Sequence, residues 1–112
     1  YLDDLRPCPE GFVLARSAEE CMMLLEENEV DILSLDHDLG WDQPTGYDVA
    51  QFMVVQGKFA RDIYLHSSSA IGRSNMFHLL HKHKPEGVQV HIFPMPDAIL
   101  ARAAMSKTKQ NL

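Results

Sequence analysis

Apolar residues along this chain fall into two kinds of pattern. Short continuous runs at 32–35 and 63–65, and a longer one at 88–93, read as buried strands. Tyr1 and Leu2 read as the tail of a first strand, and 12–15 as a short second one. Between the runs the apolar spacing changes to three and four. Ser17, with Glu20 three residues on, predicts a capping box opening a helix whose stripe is Cys21, Met22, Leu24 and Leu25 and which frays near Asn28. A second helix is predicted from Thr45 or Gly46 to Gln56, with Val49, Phe52 and Met53 on one side and Gly57 ending it. A third is predicted from about Ser74 to His83, burying Met76, Phe77, Leu79 and Leu80 before Pro85 and Gly87 close it. Asp97 is placed as the cap of a last helix over 98–105, and 106–112 reads as a frayed tail.

Strands alternating with helices predict an α/β fold: a flavodoxin-like or receiver-like three-layer sandwich around a mostly parallel five-stranded sheet. Only about eight residues separate Asp4 from Phe12, too few for a parallel crossover of a dozen or more, so the first helix is expected to be reduced to a loop. At 112 residues the chain supports one domain, placed at 1–105, with 46% hydrophobic and 23% charged residues as in ordinary globular chains. The net charge of -6 argues against an extended nucleic-acid surface but not against a small phosphate ligand received through a cation. No run approaches the ~20 apolar residues of a membrane span, and no signal peptide is visible, so no membrane partner is expected. Cys8 and Cys21 are too few for a disulfide scaffold and read as structural thiols, which places the chain in the reducing cytoplasm.

The chemistry gathers where predicted strands end. Asp3 and Asp4 follow the first, Asp36, His37 and Asp38 the third, and His66, Ser67, Ser68 and Ser69 the fourth. In an open α/β sheet the carboxyl edge of the strands is where ligands bind. Asp3, Asp4 and Asp36 at adjacent strand ends would repel one another unless a cation lay between them, and carboxylate and water oxygens suit Mg2+; the alternative is that Asp3 and Asp4 merely cap a turn and salt-bridge to Arg6. His37 and His66, whose type titrates near neutrality, suit paired acid-base work, with Asp36 and Asp38 beside them. Asp36 and His37 can serve one spot only if the strand has already ended, which Gly40 favours. The loop of Ser67 and Ser68, leading through Gly72 and Arg73 to Asn75, offers hydroxyls, amides at a helix start and a guanidinium to a phosphate. His78, His81 and His83 read as solvated surface. Trp41 stands alone in a loop, free to stack on a base or to cover the sheet edge.

An acidic pair after strand one, an aspartate after strand three, a hydroxyl after strand four and a proline after strand five resemble response-regulator receiver domains. By that resemblance Asp3 and Asp4 match the metal-binding pair, Asp36 the phospho-accepting aspartate and Ser67 the switch hydroxyl. Receivers place a lysine before the last proline, whereas Ile92 and Phe93 precede Pro94 here, and they have no counterpart of His37 or His66. LDHDLG at 35–40, TGYDVA at 45–50 and LHSSSAIGRSNM at 65–76 resemble more closely the cyclic-phosphate-processing receiver-like domains. That resemblance implies a domain that binds, and as a phosphoesterase hydrolyses, a cyclic phosphate on a nucleotide or RNA terminus. The alternatives are a phospho-accepting or degenerate signalling module and a non-catalytic cyclic-nucleotide sensor. The third and last helices are amphipathic enough to offer a homodimer face.

Overall fold

The computed structural model describes residues 1–105; the tail at 106–112 lies outside the described residues. Three strands, β1 (Ile32–Leu35), β2 (Asp62–Leu65) and β3 (Gln89–His91), pair in parallel in the order β1-β2-β3. Ile32 stands opposite Asp62 and Leu35 opposite Leu65, while Asp62 stands opposite Gln89. Four helices precede, connect or follow them: α1 (Ala18–Glu27), α2 (Gly46–Gln56), α3 (Ala70–His83) and α4 (Asp97–Met105).

The sheet is therefore smaller than the five strands expected. Leu2 extends it by one residue, bridging in parallel to Leu35 on one side and Ala15 on the other. Its amide donates to the Ser34 carbonyl at 2.9 Å, and its carbonyl accepts from the Asp36 amide at 3.0 Å. Only Ala15 of the 12–15 run joins the layer. The last strand stops at His91, although the Phe93 carbonyl still accepts from the Leu65 amide at 3.3 Å. Pro94 and Pro96 have no amide to donate, so the ladder cannot continue beyond them. The segment between Asp4 and Phe12 forms no helix, as the spacing required.

Strand alternation divides the core in two. Leu33, Leu35, Ile63 and Leu65 face a cluster built with Cys21, Leu25, Val49, Met53, Met76 and Leu80 from α1, α2 and α3. Ile32 and Tyr64 face the other side, with Tyr1 and Met95 and with Ile99 and Leu100 from α4. Burial pushes the Cys21 thiol up to about 12, as fits an inert core cysteine; Cys8 is free as well. No helix among the described residues is long and apolar enough to cross a membrane.

The helix starts bring two corrections. α1 is capped by Ser17 as expected, its hydroxyl accepting from the Glu20 amide at 3.2 Å. The reciprocal capping box belongs to α2, where the Asp48 carboxylate accepts from the Thr45 amide at 2.7 Å. α3 begins at Ala70, not near Ser74: Ser69 caps it, its hydroxyl accepting from the Gly72 amide at 3.0 Å. Part of the serine-glycine stretch read as loop is thus the first turn of a helix. At α2 the chain needs glycine, because a Cβ on Gly46 would lie 1.9 Å from the Asp36 carbonyl oxygen. That close approach seats the helix directly under the 36–38 segment, where the Gly46 amide donates to the His37 carbonyl at 2.8 Å.

Candidate functional site

Asp3 leaves the sheet at the end of the Leu2 bridge and is completely buried. Its Oδ1 accepts from the amides of Leu5 at 2.9 Å and Arg6 at 2.8 Å, folding residues 3–6 into a tight turn around the carboxylate. Its Oδ2 accepts from the Arg6 guanidinium at 2.8 Å and from His66 Nε2 at 3.0 Å. Burial alone would raise its pKa, but the amide and guanidinium of Arg6, the Leu5 amide and His66 outweigh that. The carboxyl is held well below the usual carboxylate range.

His66 is enclosed. Its ring stacks on Tyr1 with centroids 4.4 Å apart, and its side chain is only 6% exposed. An ionised Asp3 can only accept, so Nε2 carries the proton, and Nδ1 then accepts from the Ser34 hydroxyl at 2.6 Å. Burial pushes the His66 pKa down to about 4 despite the opposing pull of Asp3, so the ring is neutral at pH 7. Ser34, His66 and Asp3 form a serine-histidine-aspartate chain, but Ser34 is wholly buried and cannot be a nucleophile.

Asp36 emerges just past the last residue of β1 and is buried, with Oδ1 accepting from the His37 amide at 2.8 Å. Burial pushes its pKa up, and the neighbouring Asp3 charge adds to this, against hydrogen bonds from His37 and Ser67 and the pull of Arg6. Arg6 Nη1 lies 3.4 Å from Asp36 Oδ2 and so spans both acids. Arg16 braces that turn, donating to the carbonyls of Asp3 at 3.2 Å and Arg6 at 2.9 Å. Asp3, Asp4, Arg6, Asp36, Asp38 and Ser68 line a cavity of about 420 Å³ together with Leu5 and Gly40.

The predicted residues thus fall into separate places. Asp3, Asp36 and His66 each offer a ligand atom within 4.8 Å of the others and could hold a metal ion; Asp4 lines the cavity without joining that group. The observation that bears on fit is Arg6, a cation already drawn between the two acids, and the donor set of two carboxylates and one neutral imidazole suits a divalent ion. Ser67 is buried beside Asp36, and its hydroxyl accepts from the Ser69 amide at 3.0 Å. Arg73 donates to the Ser67 carbonyl at 2.6 Å and bolts the loop down rather than lining the cavity. Trp41 is 92% exposed and covers no sheet edge.

His37 turns the other way. Its Nδ1 lies 2.9 Å from Asp38 Oδ1, and its ring rests on α3 where Gly72 has no side chain. A Cβ there would lie 2.5 Å from His37 Cγ. Gly72 therefore makes room for the ring, and Asn75 lines the same side as His37. Gly72→Ala is expected to shift the His37 ring signals in a 1H-15N spectrum and to cost about 1–3 kcal/mol, as overpacking does. Ring signals unchanged from the parent protein would refute that packing. Arg6, read in the sequence only as a salt-bridge partner for a turn at Asp3 and Asp4, makes that bridge with Asp3 and also reaches Asp36; Ser34 was missed, a mid-strand serine with no local signal.

Residues 1–82 match the family described as the cyclic-phosphate processing receiver domain. The chain belongs to that family. None of the curated proteins or solved structures compared with it matches significantly.

Proposed function

We propose that the domain binds a cyclic phosphate ester in the cavity over Asp3, Asp36 and Arg6 and opens the ring by hydrolysis. The observation that carries this reading is the Arg6 guanidinium. It is held between two buried carboxylates at the wall of a cavity, with the hydroxyl of Ser68 on the same wall. A planar cation with donors left over, 44% exposed, is suited to grip two phosphate oxygens.

In the reaction, water adds to phosphorus, one ester P–O bond breaks, and a phosphomonoester with a freed hydroxyl results. Asp36, whose pKa burial raises, takes the proton from water. The departing oxygen takes its proton from solvent at the cavity mouth, while His37, turned into the neighbouring groove, fixes the cavity-lining Asp38 through Nδ1. His66 has both ring nitrogens occupied and acts by positioning Asp3 rather than by carrying protons. With the His66 proton moved from Nε2 to Nδ1, where the Ser34 hydroxyl can accept it, Asp3, Asp36 and His66 would hold a divalent ion, which when bound neutralises phosphate charge as a Lewis acid. The carboxylates suit Mg2+ or Mn2+, and the imidazole draws the set toward a first-row transition ion, which Mn2+ also is.

The test follows hydrolysis of 2′,3′-cyclic nucleotides by 31P NMR, in chelator and with Mn2+ or Mg2+ added. Turnover is expected to fall at least tenfold in Asp36→Asn, since one acid-base group is worth about 10²–10⁴. Failure of the parent protein to hydrolyse any cyclic phosphate under all three conditions would overturn the proposal.

A further inference from the structure

On the other side of the 36–38 segment lies a second concavity. It is an open groove of about 640 Å³ lined by His37, Thr45, Tyr47, Asn75, His78, Leu79 and Lys82. Asn75, His78 and Lys82 are spaced three and four apart along α3, so they share one side of the helix. Thr45 and Tyr47 come from the start of α2, which packs against α3. In a chain of net charge -6 this groove is lined by no carboxylate. The two acids that adjoin it in sequence are engaged, Asp38 on His37 Nδ1 and Asp48 on the Thr45 amide.

The lining is two imidazoles, an ammonium, a carboxamide and a phenol ring beside a leucine. Such a set recognises an anion flanked by an apolar or aromatic group. The groove adjoins the acidic cavity across one side-chain pair, because His37 lines one, Asp38 lines the other, and the two side chains are 2.9 Å apart. A ligand anchored by its phosphate in the cavity can pass over this pair and set down a second negative charge in the groove.

We infer that the groove is a second phosphate subsite, and that the ligand is the end of a ribonucleotide strand rather than a mononucleotide. Lys82 and His78 contact the next phosphodiester, and Asn75 and Tyr47 meet the adjoining nucleoside. This assignment rests on the reading of the acidic cavity for the position of the terminal phosphate, but the groove's preference for a strand is testable without cyclic-phosphate chemistry. Two phosphate contacts are compatible with the acidic composition, which excludes only an extended nucleic-acid surface.

The experiment titrates the full chain with a diadenylate carrying an ordinary open 3′-phosphate and with 3′-adenosine monophosphate, following the His37 and His78 ring signals by NMR. The dinucleotide is expected to bind at least tenfold more tightly and to move both rings. The double variant His78→Gln with Lys82→Gln should bind both ligands alike. In that variant the slope of log affinity against log salt should become shallower by about 0.7 for each single-strand phosphate the protein ceases to neutralise. Lys58→Gln, which removes a charge outside both the groove and the acidic cavity, should keep the preference. Equal affinity for the two ligands, a preference that survives the double variant, or a still His78 ring while the dinucleotide binds would each overturn the subsite. If cyclic esters are not hydrolysed but the dinucleotide preference holds, the cavity reading fails and the groove stands. If they are hydrolysed at the same kcat/KM with and without the extra nucleotide, the groove fails and the cavity reading stands.

Discussion

Asp3→Ala is expected to destabilise the domain by about 3–5 kcal/mol, the range for stripping one partner from a buried charge network. Four donors converge on this fully buried carboxylate, and the substitution orphans two amides and the His66 Nε2 proton at once. Arg6, partly exposed, recovers water on its free side and adds little to the loss. Asp3→Asn separates charge from shape. The asparagine oxygen can keep both amide bonds, while its NH2 would face the His66 N–H. His66 can resolve that conflict by moving its proton to Nδ1, because the Ser34 hydroxyl donates or accepts with equal ease. Asp3→Asn should therefore cost roughly half as much, near the ~1–3 kcal/mol of an unsatisfied group, with a changed His66 tautomer in its 15N ring shifts. Chemical denaturation of both variants checks the order. An asparagine variant as unstable as the alanine one, with the tautomer unchanged, would mean that Ser34 does not adapt.

Much of this frame is legible in the sequence because it follows local rules. The alternation of Ile32 with Leu33 and of Ile63 with Tyr64 sends neighbouring residues to the two cores, and Gly57 closes α2 in the left-handed conformation only glycine takes freely. The start of α3 was hidden for the same kind of reason. Gly72 and the serines around it are poor helix formers, and only contact with His37 explains why a glycine belongs inside that turn. The site was less legible because its bonds span the fold. Arg6 reaches Asp36 across thirty residues and His66 reaches Asp3 across sixty-three. Ser34 looks like any mid-strand serine until His66 is stacked above Tyr1. Counting acids near strand ends put Asp4 in the cation group. The ligand atoms that lie within 4.8 Å of one another in the structure are those of Asp3, Asp36 and His66, a grouping that spans the fold.

His66 should also make the metal-free domain acid-labile well above the usual carboxylate range. An unfolded histidine takes up its proton near pH 6.5, whereas the folded ring, kept neutral by burial, does so only near pH 4. Between those values the unfolded chain binds the extra proton, so stability is full above pH 6.5 and falls as the pH is lowered. At ~1.36 kcal/mol per pH unit the loss approaches about 3 kcal/mol by pH 4. Asp36 works in the opposite sense. Its raised pKa means that the folded state takes up a proton before the unfolded state does, which returns some stability as the pH falls toward the carboxylate range. Asp3 adds its own loss only below the ordinary aspartate pKa, since its folded value is depressed. Among the side chains, the decline between pH 6.5 and 5 therefore belongs mainly to His66; the amine of Tyr1, pushed down to about 5 by burial, adds a loss of the same sign that His66→Gln leaves in place. Urea denaturation in chelator from pH 7.5 to 4.5 should show that decline in the parent protein and a flatter profile in His66→Gln, whose side chain keeps a hydrogen-bonding group but does not titrate. Equal slopes in the two proteins would show that the ring is not held neutral, and that Asp3 and His66 meet as an ion pair instead.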